Sequence, residues 1–204
     1  PMERQELLEF LERHGVRHQD FGIGHTKRVD DLLEEIRKGD IRLIYRKRDR
    51  RVVRKARTLR FLITIRSPET GEQLVLRERG FSYPQDLRMR HRPFDYGASL
   101  SETIPKGKRI LSWAAEALVQ ELLIRRLPQR LFKPWRPSER KSYESSAYPG
   151  IISDVRYVFL KIELPEDLYQ PMYFHTENDI FSLFDWESYL EHEPQEERVP
   201  PPRP

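Results

Sequence analysis

The chain has 204 residues, a formal net charge of +4, no cysteine and a mean hydropathy of −0.77. This length suits one well-buried domain, and the lack of cysteine excludes a disulfide framework, a thiolate zinc site and a cysteine nucleophile. No apolar run approaches the roughly 20 residues that cross a bilayer, and the first residues lack the layout of a signal peptide, so we expect a soluble, cytoplasmic protein.

The charge is divided unevenly along the chain. Residues 1–141 contain 33 basic and 20 acidic residues, a net charge of +13, whereas residues 142–204 contain 4 and 13, a net charge of −9. Arginine outnumbers lysine by 28 to 9, and arginine suits bidentate contacts with carboxylates and phosphates. Two interpretations remain open: an anionic partner binds the basic part, or the acidic part pairs with it inside one molecule.

The first 40 residues have the apolar spacing of two helices. Apolar side chains recur at helical intervals over residues 3–14 and again over residues 26–39. Thr26 is the expected N-cap of the second helix, and Gly39 is its expected end. We therefore predict an N-terminal helical segment over residues 1–40 that packs on the rest of the domain.

From Ile41 onwards the apolar period changes to two, which predicts a meander of antiparallel strands. The predicted strands cover residues 41–45, 52–65 and 73–79, with a tight turn at residues 68–71 between the last two. The inward face of the second strand is expected to carry Leu59, Phe61, Ile63 and Ile65. Residues 80–96, rich in proline, aromatic residues and arginine, are predicted to form a loop.

Two groups of basic residues are candidate contacts for an anionic partner. The first lies at and after the tip of the first predicted hairpin: Arg46, Lys47, Arg48, Arg50, Arg51, Arg54 and Arg57. The second group alternates within the predicted loop: Arg88, Arg90 and Arg92. Such surfaces bind nucleic-acid backbones or acidic proteins through screened Coulomb attraction, although solvated loop charge and a charge-protected edge strand give the same pattern.

The segment over residues 101–124, SETIPKGKRILSWAAEALVQELLI, has the pattern of a loop followed by an amphipathic helix. The residues expected to face the core are Leu111, Ala114, Ala115, Leu118 and Leu122. The residues expected to face solvent are Arg109, Ser112, Glu116 and Gln120. A plain core helix explains this pattern without any further role.

The same segment resembles a degenerate Nudix box when residues 120–124 are aligned with the end of that signature. One glutamate of the signature, Glu121, is retained. The other positions are replaced: Glu102 stands at a glycine, Lys108 at a loop glutamate, Glu116 and Ala117 at the arginine–glutamate pair, and Gln120 at a metal ligand. The resemblance implies a Nudix-like fold in which most of the acidic cluster is missing.

The replacements bear on metal binding. Nudix hydrolases hold magnesium with several carboxylates on this helix, because a hard cation needs several anionic oxygens. A single retained glutamate does not supply them. Lys108 would add a positive charge beside the metal, at a cost on the order of 4 kcal/mol at a separation of about 4 Å in an effective dielectric near 20. The resemblance therefore implies a fold without the hydrolytic site.

The chain after the helix ends in an acidic, aromatic segment. Residues 127–140 are broken by prolines and are predicted to be a connector. The run over residues 142–165 resembles the segment that follows the box in Nudix enzymes of the ADP-ribose pyrophosphatase type, where a turn precedes a buried aromatic strand. A last strand and helix are expected over residues 166–190. The polar, proline-rich residues 191–204 are predicted to be disordered.

These patterns predict an α/β protein, a Nudix-like α/β/α sandwich with a mixed sheet over residues 41–190. We predict a catalytically inactive interaction module, a pseudoenzyme without a cofactor, that binds an acidic protein or RNA. One alternative is an active, divergent Nudix hydrolase that cleaves a nucleoside diphosphate derivative with magnesium held by Glu102, Glu116 and Glu121. A second alternative is an RNA-binding protein of another α/β fold. No Walker loop, Rossmann glycine fingerprint or GxSxG elbow indicates another enzyme class.

Overall fold

The computed structural model describes residues 2–83, 86–90, 98–177 and 180–189. Three α-helices occur in these ranges: α1 (Arg4–Arg13), α2 (Val29–Lys38) and α3 (Ile110–Leu122). Ten strands form one sheet: β1 (Ile41–Arg46), β2 (Arg51–Arg66), β3 (Gln73–Tyr83), β4 (Asp86–Arg90), β5 (Leu100–Thr103), β6 (Lys133–Pro134), β7 (Glu139–Glu144), β8 (Ile151–Leu164), β9 (Met172–Glu177) and β10 (Ile180–Ser188). At 10, 10 and 13 residues, the helices fall short of a membrane span.

The sheet is built around the parallel pair β2 and β8. Their register runs from Val52 opposite Ile151 to Ile65 opposite Leu164. Every other pairing between described strands is antiparallel, including β1 with β2 and β2 with β3. The main path across the sheet is β6-β8-β2-β3-β10-β9. The sheet is therefore mixed, and the predicted antiparallel meander at its start is confirmed.

Helices cover both faces of the sheet. On one face, the apolar residues of β2 from Leu59 to Ile65 belong to a core cluster that includes α3. On the other face, Val52 and Ala56 of β2 and Tyr157 and Phe159 of β8 belong to a cluster that includes α1 and α2. Period-two alternation along β2 and β8 supplies both cores from the same strands. The predicted α/β/α sandwich is confirmed, with α1 and α2 of the N-terminal segment as one of its two helical layers.

The sequence predicts the C-terminal end of α2 correctly but not its N-terminal end. Gly39 ends α2 in the left-handed conformation at φ 78°, as predicted. The prediction that Thr26 is the N-cap is wrong, because α2 begins three residues later. The backbone N–H of Arg28 donates to the carboxylate of Asp31 at 2.7 Å. Thr26 instead orders the preceding turn by accepting the N–H of Ile23 at 2.9 Å.

Backbone pairing overrides three loop predictions. Residues 80–83 continue β3 and residues 86–90 form β4, so the predicted loop over residues 80–96 is wrong in these parts. Residues 101–103 belong to β5, which pairs with β2, and are not part of a loop. The connector predicted over residues 127–140 contains β6 and the start of β7. Each segment gains backbone hydrogen bonds from a partner strand, which is β3 for β4, β2 for β5, and β8 for β6 and β7.

The C-terminal part of the domain is a hairpin, so the predicted last helix is wrong over the described residues. β9 and β10 pair with each other, and β10 also pairs with β3. Phe184 is 1% exposed in the core, and Trp186 packs against the same cluster. Their i,i+2 spacing places both side chains on one face of a strand, whereas it would place them on different faces of a helix. The predicted disordered tail, residues 191–204, lies outside the described residues.

Candidate anion-binding cleft

The three carboxylates of the degenerate box lie in two elements and in different surroundings. Glu121 is buried on α3, with 9% of its surface exposed. Glu116 is half-buried on α3, and Glu102 lies in β5 opposite Leu59. The predicted inward position of Leu111 is wrong, since it is 38% exposed in the first turn of α3.

Glu116 already has a cation beside it. Lys108 Nζ lies 2.7 Å from Glu116 Oε2, and Arg126 Nη2 lies 3.9 Å from Glu116 Oε1. The hydrogen bond from Lys108 lowers the pKa of Glu116 below its ordinary value. Among residues 2–83, 86–90, 98–177 and 180–189, no three His, Asp or Glu side chains form a group that could hold a metal ion. The residues of this helix therefore do not fit a magnesium site.

Two of the candidate arginines of the first hairpin are engaged within the fold. Arg46 Nε donates to both carboxylate oxygens of Asp49 at 2.9 Å. Arg54 Nη2 lies 2.8 Å from Glu35 Oε2, and the two side chains are only 18% and 14% exposed. Arg54 thus connects β2 to α2 and has little surface to offer a partner.

The other candidate residues are spread over the molecule. Lys47, Arg48 and Arg50 are exposed at the tip between β1 and β2, and no ion pair forms on them within the described part of the chain. Arg51 lies 3.5 Å from Glu144. The remaining candidates are separated: Arg57 lies in β2, Arg88 and Arg90 lie in β4, and Arg92 lies outside the described residues.

A different group of basic residues converges in a cleft of about 400 Å³. The cleft lies where the α2–β1 turn and the β5–α3 loop meet the sheet. We define the basic cleft by its six cationic lining residues: Arg42, Lys55, Arg57, Lys106, Arg140 and Arg156. Two carboxylates, Asp40 and Asp154, also line it. With six cations and two carboxylates, the formal charge of the cleft is +4.

Strand register brings five of these cations together. Arg42 lies opposite Lys55, and Lys55 lies opposite Asp154. In the neighbouring row, Arg57 lies opposite Arg156, which lies opposite Arg140. Paired residues on adjacent strands share a face, and so do residues two apart on one strand. Both rows therefore lie on one face of the sheet, beyond the part that α3 covers.

The sixth cation, Lys106, reaches the cleft from the loop between β5 and α3. Its backbone N–H donates to the carbonyl of Gly39 at 2.8 Å, and the N–H of Ile104 donates to the carbonyl of Arg57 at 2.8 Å. A Cβ atom at Gly39 would lie 3.5 Å from the Cβ of Lys106. These contacts fix the loop against both the end of α2 and strand β2.

Most of the positive charge in the cleft is not neutralised. Arg140 forms a bidentate pair with Asp154, whose side chain is 4% exposed, and this contact lowers the pKa of Asp154. The other five cations make no ion pair within 4.0 Å in the part of the chain that the structure describes. Burial raises the pKa of Asp40, and its carboxylate is already counted in the net charge of the cleft. The cleft therefore has a strongly positive electrostatic potential.

Sequence analysis identified only Arg57 among these six cations. The alternation of Lys55 and Arg57 on one face of β2 is visible in the sequence, as is Arg156 within the apolar run of β8. Their proximity depends on the parallel register of β2 and β8, which are separated by about 100 residues of chain. No local pattern specifies that register.

No protein-family model matches the sequence, and no curated protein matches it. Among solved structures, the chain is similar to a C. elegans Ap4A hydrolase, with 14% identity, 65% of this chain and 80% of that chain covered, and a TM-score of 0.35. A C. elegans Ap4A hydrolase binary complex gives 16% identity, coverage of 68% and 75%, and a TM-score of 0.31. A MutT/nudix family protein from Enterococcus faecalis gives 8% identity, coverage of 90% and 63%, and a TM-score of 0.33. One of these neighbours is a member of the Nudix family that the sequence resembles, but at these TM-scores the likeness carries no conclusion about the fold or the activity of this chain.

Proposed function

We propose that this protein is a Nudix-like binding module that holds the phosphates of RNA in its basic cleft and does not hydrolyse nucleotides with a metal. The observation that carries the proposal is the set of five cations without an ion pair around a cavity of about 400 Å³. Like charges held together repel one another and lower stability. Such an arrangement is typical of a site whose neutralising charge comes from a ligand.

The shape of the site favours phosphates over an acidic protein. A stable contact with a folded protein buries about 800 Å² on each partner, usually over a broad surface. The cations here do not form a broad, flat surface; they line a concave cleft of about 400 Å³. Arginine supplies four of the six, and its planar fork matches phosphate oxygens. An exposed phosphate backbone enters such a cleft more readily than the surface of a folded protein.

The contacts of α3 support the absence of hydrolysis. Glu116, one of the residual carboxylates, is neutralised by Lys108 at 2.7 Å. A metal ion would have to displace this ammonium group and would still lack a converging set of carboxylates. Phosphate binding in the basic cleft requires neither the displacement of Lys108 nor a cluster of carboxylates on α3.

One observation favours a second candidate function. Glu121, the retained glutamate of the box, is buried to 9% exposure on α3, which is unusual for a carboxylate without a specific role. The second candidate is a divergent hydrolase of a nucleoside diphosphate derivative. Metal-dependent turnover that Glu121→Gln abolishes would establish this activity and overturn the binding-only proposal.

The salt dependence of RNA binding tests the proposal. If five cations contact phosphates of a single strand, the slope of log K against log salt is about −3.5. The double variant Arg57→Gln/Arg156→Gln should bind more weakly, with a slope smaller in magnitude by about 1.4. Binding can be measured by fluorescence anisotropy of a short labelled RNA without divalent metal.

The matched control is Arg17→Gln/Arg130→Gln, which removes the same charge from exposed positions outside the cleft. The control should keep the affinity and slope of the unmodified protein. Equal losses in both double variants would show that only net charge matters. If the protein captures an acidic protein and shows no salt-sensitive RNA binding, the ligand of the cleft is an acidic protein surface and not RNA. Either result overturns the proposal.

A further inference from the structure

We infer that the basic cleft takes a compact run of about three phosphates and recognises them without contacting a base. This inference rests on the proposed function, because it names the part of an RNA ligand that enters the cleft. The shared chemistry is a linear triphosphate group, which occurs at the 5′ end of an RNA and as a free molecule. Charge, size and lining residues each support it.

The charge of the cleft matches that of a triphosphate. Six cations and two carboxylates give +4. A terminal triphosphate group carries about −4 near neutral pH, since its last phosphate loses a second proton near pH 6. A single backbone phosphate of about −1 would leave most of the repulsion in place. Full neutralisation therefore requires several phosphates close together.

The size of the cleft sets an upper limit on what enters it. Its volume of about 400 Å³ is near the lower end of the range for small-ligand sites, roughly 300–1,000 Å³. Adjacent strands lie about 4.8 Å apart, and residues two apart on a strand lie about 6.7 Å apart. The two rows of cations on the sheet and Lys106 on the loop thus lie within reach of one short anionic segment.

Apart from its charged side chains, the lining lacks groups that read a base. Besides the charged side chains and two glycines, the described residues that line the cleft are Ile41, Ala56 and Ile104. Proteins that read unpaired bases stack them on aromatic side chains or on arginine guanidinium planes, or bond their edges with polar groups. No aromatic, Asn or Gln side chain is among the described lining residues. When phosphates occupy the arginines, the lining offers no other platform for a base, so the base stays outside.

The test compares two RNAs of one sequence, one with a 5′-triphosphate and one with a 5′-hydroxyl, without divalent metal. The triphosphate RNA should bind about tenfold tighter or more, the change expected from one good contact to a charged group. Inorganic triphosphate should compete with it at one site. Changing the first nucleotide should leave the affinity unchanged.

Two further arms separate the ligand sources and the two proposals. If inorganic triphosphate binds as tightly as the triphosphate RNA, free triphosphate is the ligand. If the triphosphate RNA binds more tightly, the 5′ end of an RNA is the ligand. Triphosphate binding without any RNA binding would support this inference and overturn the proposed function. Equal, salt-sensitive binding of both RNAs without competition by triphosphate would overturn this inference alone.

Variants connect the preference to the cleft. Lys106→Gln and Arg57→Gln should each reduce the preference for the triphosphate end, while the control Arg17→Gln/Arg130→Gln should keep it. Circular dichroism of each variant verifies the fold. A folded Lys106→Gln/Arg57→Gln variant that keeps the full preference would overturn the assignment of the triphosphate to the cleft.

Discussion

Glu35 shows how one residue can remove a candidate arginine from the surface. Its carboxylate on α2 accepts bonds from Lys27 at 2.8 Å, Arg54 at 2.9 Å and the hydroxyl of Tyr148 at 2.9 Å. Burial alone would raise the pKa of Glu35, but the two cations lower it below its ordinary value. The carboxylate thus joins α2, β2 and the turn before β8. A sequence shows that Arg54 is basic but not that it is internal.

Removing the guanidinium of Arg54 should therefore destabilise the fold. We expect Arg54→Met to lower the free energy of unfolding by about 2 kcal/mol, less than a fully buried pair because Lys27 remains and both side chains keep some exposure. Urea denaturation measures the change. Arg48→Met at the exposed hairpin tip is the control and should stay within about 0.5 kcal/mol. Equal stabilities of the two variants would contradict this role.

Glu116 gives a titration test of the contacts on α3. Because Lys108 is the main cause of its lowered pKa, Lys108→Met should raise the pKa of Glu116 towards the ordinary value of about 4.3. NMR titration of the side-chain carboxyl carbon measures the shift. Arg126→Met removes a more distant cation, 3.9 Å away, and should produce a smaller rise. An unchanged titration in Lys108→Met would show that this ion pair does not form in solution.

At the scale of elements, strand β2 was partly predictable. Its inner apolar residues from Leu59 to Ile65 alternate clearly, and the sequence predicts their face correctly. The same face becomes cationic at Arg57 and Lys55, where the neighbouring β8 supplies Arg156 and Asp154. Hydrophobic periodicity follows only local spacing, so it specifies which face is buried but not which distant strand lies alongside.

The same limit explains where the element predictions fail. The segment at residues 86–90, whose alternating arginines also fit an edge strand, pairs with β3. The strand at residues 100–103 lacks a strong local pattern and forms by pairing with β2. Aromatic spacing in the last segment fits a strand, but its acidic composition suggested a helix. By contrast, Gly39 and α3 were predictable because a C-terminal glycine and a 3.6-residue apolar period are local signals.

The pair of β7 and β8 gives a prediction about acid stability. Arg140 lowers the pKa of Asp154 in the folded state, so their contact stabilises the protein above about pH 3.9, the ordinary pKa of aspartate in an unfolded chain. This contribution is lost as the pH falls through the lower folded-state pKa. Arg140→Met should therefore reduce the melting temperature at neutral pH, and the difference from the unmodified protein should shrink as the pH falls below about 3.9 and through the folded-state pKa of Asp154.

Thermal unfolding followed by circular dichroism across this pH range measures the effect. The control is Arg125→Met, which removes an ion pair to Asp167 in which both side chains are 59% exposed. An exposed pair contributes little, so the control should show almost no pH-dependent difference. A stability loss in Arg140→Met that stays constant down to the lowest pH would contradict an ionic role for the contact.

For the whole molecule, ion pairs inside the fold neutralise some of the uneven charge along the sequence, and part of the remainder lies in the basic cleft. Some acidic residues after residue 141 do pair with the basic part of the chain, as Glu187 does with Arg77 at 2.7 Å and Asp154 does with Arg140. Five cations of the cleft have no such ion pair among the described residues. Composition is consistent with both possibilities, and the sheet register distinguishes the neutralised cations from those without an ion pair among the described residues.

The repulsion among the cations of the basic cleft predicts a trade-off between folding stability and RNA binding. Because the cleft cations repel one another, Arg57→Gln/Arg156→Gln should raise the free energy of unfolding at low salt by roughly 0.5–2 kcal/mol while it weakens RNA binding. The gain should shrink as salt screens the repulsion. Thermal unfolding at low and high salt measures it. Lower stability of the variant at low salt would indicate that these arginines serve the fold.

NMR mapping of the RNA-binding surface tests the central claim most directly. A short single-stranded RNA is added to isotope-labelled protein without divalent metal, and changes in backbone amide shifts are assigned to residues. The account predicts changes concentrated at residues 40–42, 55–57, 104–107 and 154–156, with little change at residues 116–121. Changes centred on residues 116–121 that require magnesium and accompany nucleotide cleavage would contradict it.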